Sequence, residues 1–536
     1  MKCCFLLFIF SIISSPSFSQ GGIWTWMKGD TIYYPIAVWG TQGIGDPANT
    51  PAPKYSYYHW QDSAGNFWIY SGISSGTWSG YDDVWKFDIA TQNWIWIRGS
   101  TTLDADAVFG TQGIPSPDNT PGFRYLGGLS WTGKDGRFWL FSSFTENTYG
   151  DDVWVYDPAT NEWTWMSGLP NNTVPHYGTM QVSSPDNTPG FVGETDASWV
   201  DDDGNLWFFG GQLPGLIDQQ SLVWKYDVST LEWTWMNGDT LANTWPVYGT
   251  LGIPSASNTP GARWCYGSWK DNEDNFWLCG GGRADMNQPD FLRWNDLWKF
   301  STVTSEWTWV SGDSGVNNQY NAGIKCEANV AFHPSARMEN RSCSQDSCGN
   351  IWMFGGMGTN YGTMDDLWVY RPAQNNWSFI AGDLILDQSS VFGVQGIPDS
   401  SNKPGGRCGA VTWFDHDGNL WLFGGLSTLY LNDLWRFTPD GNCLGSSCIP
   451  TAINGNIPQG NFSVFPNPSS GVINIQLDVT LEGSEISLYD MLGILRKQFT
   501  ATSYDVVVNM EDIASGIYFL RMKKDDKQWV KKVLID

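Results

Sequence analysis

Basic residues recur at one position of a repeating pattern and could bind a ligand that carries carboxylate or hydroxyl groups. They stand at Lys54, Arg124, Arg263, Arg337 and Arg407, each just ahead of the first predicted strand of a repeat. Arg forms forked, charge-assisted hydrogen bonds, so such side chains converging on one axis would suit an acidic sugar. The alternative is structural, with each Arg bonding carbonyl groups of its own preceding loop. Recurrence in every repeat but the third, where Val192 stands, favours the structural role.

Aromatic residues that the repeats do not share form a second set of candidate ligand contacts. They are Trp78, Tyr149, Trp245, Trp294, Tyr361 and Tyr430. A flat apolar face with a polar edge suits sugar rings and peptides. Packing of long loops against their own sheets is the alternative explanation.

Three Asp-rich segments, at 201–205, 271–275 and 415–419, invite comparison with calcium loops. An EF-hand loop needs Glu at its twelfth position, but counting from Asp201 gives Gln212. Tight hairpins also favour Asp and Gly, so we predict plain turns and no metal.

The chain has four His residues, which stand at 59, 176, 333 and 416 in different repeats. They do not supply a convincing copper ligand set. No nucleophile elbow and no distinctively spaced carboxylate pair marks an enzyme. We therefore predict no cofactor and no catalytic residue.

These candidates lie on a repeat marked by tryptophans. Trp recurs at 85, 154, 224, 298, 368 and 435 in segments such as "DDVW" and "NDLW", at intervals of 67 to 74 residues. A W-x-W unit begins at 24, 94, 163, 233, 307 and 377. Each repeat predicts four strands: a ("RWCYGSWK"), b ("NFWLCGG"), c ("NDLWKF") and d ("WTWMSG").

The first W-x-W unit has no strands before it, and the last repeat, 393–437, has no W-x-W unit after it. We predict that Trp24 and Trp26 belong to strand d of the last sheet. This pairing would close a ring of sheets and remove an open sheet edge.

The repeats resemble kelch repeats, through the glycine pairs Gly210-Gly211, Gly280-Gly281, Gly355-Gly356 and Gly424-Gly425 and the spaced Trp residues. Ser71-Gly72 and Ser142-Ser143 depart from the pattern, and the repeats exceed the usual kelch period of about 50 residues. The resemblance implies an all-β fold, a six-bladed β-propeller over residues 20–440. We expect its long b–c and d–a loops to carry any site on one face, around the central channel.

The last residues resemble the type A sorting domain of the type IX secretion system of Bacteroidetes. The segments "FPNP", "YDMLG", "SGIYFLR" and the terminal "KKVLID" occur in the order of that family. The resemblance implies a module at 461–536, after a linker at 441–460. It also implies export to the outer surface of the outer membrane, or release from the cell.

The N-terminus reads as a secretory signal peptide, residues 1–19, with Lys2 followed by an apolar run at 5–13. The net charge of −26 argues against a nucleic-acid partner. We expect no transmembrane segment, because no other apolar run is long enough.

Eight Cys residues follow the signal peptide, and export favours disulfides over buried thiols. Cys265 and Cys279 flank one turn, Cys343 and Cys348 flank another, and Cys443 and Cys448 stand close together in the linker. These three pairs are the candidate bridges.

We interpret the chain as a secreted or surface-attached propeller that binds an extracellular carbohydrate or protein ligand through its loops. Two alternatives remain open from the sequence. One is a carbohydrate-active enzyme (hydrolase, epimerase or oxidase) with its site at the channel mouth, and the other is a structural or adhesive surface protein.

Overall fold

Short antiparallel strands carry almost all of the regular structure, as a chain rich in Trp, Gly and Asp predicts. The computed structural model describes residues 21–444, except 33–35, 75, 126–127, 146–147, 172–173, 196–197, 216 and 286–289. It also describes residues 463–535, except 466–468, 470, 477–482, 491–494, 502, 504, 511–512 and 525–526. The chain divides into two compact units, Met1–Ile449 and Pro450–Asp536. The predicted signal peptide and the predicted linker beyond residue 444 lie outside the described residues.

Among the described residues, six antiparallel sheets of four or five strands and one separate two-stranded hairpin make up the first unit. The chain begins with β1 (Gly22–Lys28). The first sheet follows, with β2 (Tyr58–Gln61), β3 (Phe67–Tyr70), β4 (Val84–Asp88) and β5 (Asn93–Arg98). The second has β6 (Leu129–Thr132), β7 (Phe138–Thr145), β8 (Thr148–Asp157) and β9 (Glu162–Ser167). The third has β10 (Ser198–Val200), β11 (Leu206–Phe209), β12 (Val223–Asp227) and β13 (Glu232–Asn237).

The fourth sheet contains a small hairpin between its second and third strands. In chain order the strands are β14 (Gly267–Lys270), β15 (Asn275–Cys279), the hairpin strands β16 (Gly282–Arg283) and β17 (Leu292–Arg293), then β18 (Leu297–Ser301) and β19 (Glu306–Ser311).

The fifth sheet has a fifth strand at its edge. Its strands are β20 (Ala328–Asn329), β21 (Cys343–Gln345), β22 (Ile351–Phe354), β23 (Leu367–Arg371) and β24 (Asn376–Ala381), with 3-10 turns at Thr359–Tyr361 and Pro372–Gln374. The sixth sheet has β25 (Val411–Phe414), β26 (Leu420–Phe423) and β27 (Leu434–Pro439), and is followed by the short helix α1 (Gly441–Leu444).

The N-terminal strand completes the sixth sheet. β1 pairs antiparallel with β27, with Trp24 opposite Phe437 and Trp26 opposite Trp435. Trp24 is 1% exposed and packs against Phe354 of the fifth sheet as well as Phe437. The isolated W-x-W unit therefore forms the strand that the last repeat lacks, where the sequence pattern predicts it.

Neighbouring sheets share one core. The second strand of each sheet is buried along nearly its whole length, as in β3, β11, β22 and β26. One core cluster joins Phe209 of the third sheet to Phe276 and Trp307 of the fourth. A strand that is apolar on both sides fits because its two faces are covered by the sheets before and after it.

Each d–a loop runs along the outer strand of the next sheet. The Gly43 N–H donates to Trp96 O on β5, and Gly252 and Gly396 make the same 2.8 Å bond to Trp309 and to Trp26. The recurring loop segments therefore cover the outer edge of each sheet, which could otherwise pair with another chain.

The second unit holds two antiparallel sheets over one apolar core. β28 (Ser463–Phe465), β29 (Val472–Gln476) and β32 (Asp505–Asn509) form one sheet, whereas β30 (Glu485–Asp490), β31 (Leu495–Thr500), β33 (Gly516–Lys524) and β34 (Lys527–Ile535) form the other. Ile475 and Leu520, one from each sheet, are fully buried in the shared core.

Candidate functional site

The recurring basic residues are buried in ion pairs within their own sheets. Each pairs with the Asp that stands two residues before the Trp of strand c. The pairs are Lys54–Asp83, Arg124–Asp152, Arg263–Asp296, Arg337–Asp366 and Arg407–Asp433, at 2.5 to 2.7 Å and no more than 4% exposed. Each Asp also accepts a bond from the indole N–H of that Trp. Further donors of the Arg residues bond carbonyls, as Arg263 does with Gly280 O. The geometry supports the structural alternative, because these groups have no surface to offer a ligand.

The third sheet replaces the ion pair with an apolar pair. Val192 stands at the basic position and Leu222 at the Asp position, and both are buried in one core cluster. The loss of both charges together is what burial requires, since one buried charge without its partner is strongly destabilising. The Asp partner occurs in the recurrent segments "DDVW" and "NDLW", but the sequence pattern alone did not connect it to the Arg that precedes strand a of the same repeat.

The loop aromatics divide into packed and exposed residues. Trp294 is 1% exposed, beneath the Arg263 guanidinium. Tyr149 is half-buried between Phe144 and Phe191, and Tyr430 is half-buried beside Tyr55. These three fit the packing alternative.

Three loop aromatics present more than half of their surface to solvent. Trp78, Trp245 and Tyr361 are 54%, 56% and 57% exposed. Trp78 and Tyr361 also have φ angles of 61° and 60°, in the left-handed region that bulky residues avoid. Backbone strain of this kind is concentrated at ligand-binding sites, because only the surrounding structure can maintain it.

Trp245 and Tyr361 flank the small hairpin of the fourth sheet. On one side, the Arg283 guanidinium of β16 lies 4.0 Å from the Trp245 ring centroid and donates to Asn243 O. Arg283 is 4% exposed, so it supports the indole from beneath. We call Trp245, Arg283, Phe291 and Tyr361 the hairpin surface.

On the other side, Phe291 lies just before β17, with its ring centroid 5.6 Å from that of Tyr361. The Asn360 N–H donates to Asp290 at 2.9 Å, and Asp290 forms an ion pair with Arg293. These bonds tie the b–c loops of the fourth and fifth sheets together. Sequence reasoning missed Arg283 and Phe291, because the hairpin that positions them has only two residues per strand.

The Asp-rich segments are turns whose carboxylates are already satisfied. Asp201 accepts bonds from Asn205 N–H at 2.8 Å and from the Trp207 indole N–H at 2.8 Å. Asp271 and Asp415 make the equivalent bonds to Trp277 and Trp421.

Glu194, Cys265 and Glu339 form a buried group of metal-ligand types among the described residues, with their ligand atoms within 4.8 Å of one another. Glu194 accepts a 2.6 Å bond from Arg341 and a bond from the Cys265 thiol. A guanidinium at this distance repels a cation, so we place no metal there.

The disulfide differs from the predicted pairs. Cys443 bonds Cys326, which is 117 residues away in sequence, rather than Cys448, which lies outside the described residues. The bridge joins the loop before β20 to α1 and packs over Gly21, where a Cβ atom would lie 2.6 Å from the Cys443 sulfur. Proximity in the linker sequence was misleading because β27 returns the chain beside the fifth sheet.

The other two predicted bridges are wrong, the first because of strand register and the second because one of its cysteines lies in the turn. Cys279 lies opposite Gly267, two residues beyond Cys265, and burial raises the pKa of its thiol to about 12. Cys343 lies opposite Met353, whereas Cys348 stands within the turn itself, and neither belongs to a disulfide among the residues described.

Comparison with known proteins identifies the C-terminal module. Residues 463–536 match the family described as the secretion system C-terminal sorting domain. No curated protein shows significant similarity to the chain. The protein is therefore secreted or attached to the outer surface of the outer membrane, and its C-terminal module interacts with the type IX secretion machinery. No helix in the described part of the chain is long and apolar enough to cross a membrane.

Proposed function

We propose that residues 20–440 form a six-bladed β-propeller of the kelch type, which binds an extracellular carbohydrate on its hairpin surface after export. Sheets arranged around an axis should each contact the sheet before and the sheet after. The first strands of consecutive sheets do contact one another from β2 to β25. The sixth sheet also meets the first, because Gln61 donates to Phe414 O at 2.8 Å and Phe67 stacks on Trp413.

The exposure of Trp245 and Tyr361 on a fixed support is the observation that carries the ligand proposal. An exposed indole or phenol ring held by a buried guanidinium or a second ring loses little entropy on binding. It offers an apolar face to the C–H groups of a sugar and polar groups at its rim. Trp78, on the b–c loop of the first sheet, offers a third ring of the same kind.

A carbohydrate fits this surface better than a protein does. A stable protein interface covers about 800 Å² on each partner and has an apolar centre. Here the exposed rings have polar neighbours at the surface, since exposed Asn360 precedes Tyr361 and half-buried Asn243 lies two residues before Trp245. Separate rings with polar neighbours suit a chain of sugar units.

A glycan array probed with residues 20–536 tests this function. We expect binding to at least one extracellular glycan, with at least tenfold weaker affinity for Trp245→Ala and for Tyr361→Ala. Val303→Ala is the matched control, because Val303 is 89% exposed in the turn between β18 and β19.

Unchanged glycan affinity in both aromatic variants would refute the site. A different outcome would identify a protein ligand instead of a carbohydrate. In that case the parent protein binds no glycan on the array but binds a purified matrix protein, and both aromatic variants lose that binding.

A further inference from the structure

A cavity of about 360 Å³ lies between the first strands of the six sheets. Its wall receives one polar side chain from each of β2, β6, β10, β14, β21 and β25, namely His59, Ser130, Ser198, Ser268, Ser344 and Thr412. The volume is at the lower end of the range for small-molecule sites, which begins at about 300 Å³. The cavity is distinct from the hairpin surface.

Hydrogen bonds hold this polar belt in place. The Ser130 hydroxyl donates to His59 O, and the Ser198 hydroxyl donates to Ser130 O at 2.7 Å. The hydroxyls of Ser344 and Thr412 lie 2.8 Å apart. A hydroxyl that donates one bond can still accept others, so the wall keeps bonding capacity for a ligand.

The residues that line the cavity differ in exposure along the strands. Gln61, Thr132 and Gln345, at the ends of their strands beside the a–b turns, are half-buried. Asn340 and Arg341, which precede β21, are buried, with 0% and 6% of their surface exposed.

Three buried polar side chains on this cavity have no hydrogen-bond partner within the described chain. Both amide atoms of Asn340 and the indole N–H groups of Trp131 and Trp413 are unpaired. The two Trp residues are 5% and 4% exposed. The indole N–H groups of Trp199 and Trp269, at the same position of their repeats, are also unpaired although these residues do not line the cavity, so the indoles do not by themselves indicate a ligand. Buried polar groups are rarely left unpaired, so the Asn340 amide points to a bonding partner that the protein itself does not supply.

The charges around the cavity disfavour an anion. Arg341 is neutralised by Glu194 at 2.6 Å, and Glu339 lies in one buried group with Glu194. Burial and the charge of Arg341 lower the pKa of His59 to about 4. His59 is therefore neutral at pH 7, where it can both donate and accept.

We propose that this cavity binds a small, uncharged, polyhydroxylated molecule of the size of a mono- or disaccharide. The Asn340 amide bonds its hydroxyls, and the serine belt surrounds it. The protein therefore has a second ligand site independent of the hairpin surface.

Isothermal titration of residues 20–536 with a panel of sugars tests the site. The probes are glucose, galactose, mannose, N-acetylglucosamine, cellobiose and inositol, with glucuronate as the anionic comparison. We expect millimolar or tighter binding of at least one neutral probe, and weaker binding of glucuronate than of glucose.

Two variants locate the binding in the cavity. Asn340→Leu, which keeps the side-chain size, should weaken binding of that probe at least tenfold, and Ser344→Ala should weaken it severalfold. Ser401→Ala, in an exposed turn, should leave it unchanged. If Asn340→Leu fails to fold, Ser344→Ala decides the test.

The proposal is overturned if no neutral probe binds at 10 mM, a concentration chosen to be about tenfold above a 1 mM Kd. It is also overturned if glucuronate binds most tightly, or if folded cavity variants bind as the parent does. Loss of binding in Trp245→Ala would assign the sugar to the hairpin surface instead.

Discussion

Replacing Trp24 with Ala should destabilise the first unit by about 3–5 kcal/mol, the usual cost of removing a large buried aromatic side chain. Trp24 is 1% exposed, and its ring lies 4.9 Å from that of Phe437 and 5.6 Å from that of Phe354. It therefore joins the last sheet to the fifth sheet through a strand that comes from the other end of the chain. The variant loses ring contacts in both sheets at once.

Ile23→Ala is the matched control, because Ile23 is on the same strand and 42% exposed. This change should alter stability by less than about 0.5 kcal/mol. Urea unfolding followed by tryptophan fluorescence measures both variants, since every Trp except Trp529 belongs to the first unit. The expected signature is a lower midpoint with an unchanged slope.

Equal midpoints for Trp24→Ala and the parent protein would refute the idea that β1 is an integral strand of the sixth sheet. An equally large loss of stability in Ile23→Ala would show that the strand as a whole, and not the buried Trp24 ring, provides the stability.

Four further changes test other parts of the structure. Cys443→Ser should lower stability by about 2–5 kcal/mol under oxidising conditions, with no difference from the parent in reductant, as measured by urea unfolding. Arg263→Ala should cost about 3–5 kcal/mol by leaving Asp296 buried alone, whereas Arg263→Val combined with Asp296→Leu, the solution of the third sheet, should recover most of that loss in thermal unfolding. Trp78→Asn should raise stability by about 1 kcal/mol, because Asn tolerates the left-handed backbone, while weakening glycan binding on the array. Burial raises the pKa of Asp365 to about 6, above its unfolded value of 3.8, so its contribution to stability declines as the pH rises from 3.8 to 6. Asp365→Asn should flatten that part of the pH profile of the unfolding free energy.

The strand order could be read from the sequence because it depends on local chemistry. The Trp residues of strands c and d recur at a fixed distance on either side of a turn, and each such pair forms a hairpin in register. The W-x-W unit at Trp24 has no strands before it, and the last repeat lacks strand d. The pairing of the two could therefore be predicted from the sequence. The sorting module could also be recognised from its short motifs, and a family match covers residues 463–536.

Cysteine pairing could not be read in the same way. Symmetry about a turn suggested a bridge between Cys265 and Cys279, but a two-residue difference in register places Gly267 opposite Cys279. Cys326 and Cys443 are 117 residues apart in sequence and meet only because the fifth and sixth sheets pack side by side.

The sequence alone determined which segments form strands, how they pair within each sheet, and where the chain is sent, since short-range side-chain patterns encode all three. Tertiary structure decided which polar side chains are available to a ligand. The recurrent Arg residues looked like ligand contacts until their Asp partners enclosed them. Asn340 looked unremarkable until six strands from across the chain formed a cavity that it helps to line. Burial is a property of the whole packed chain, so no single repeat could reveal it.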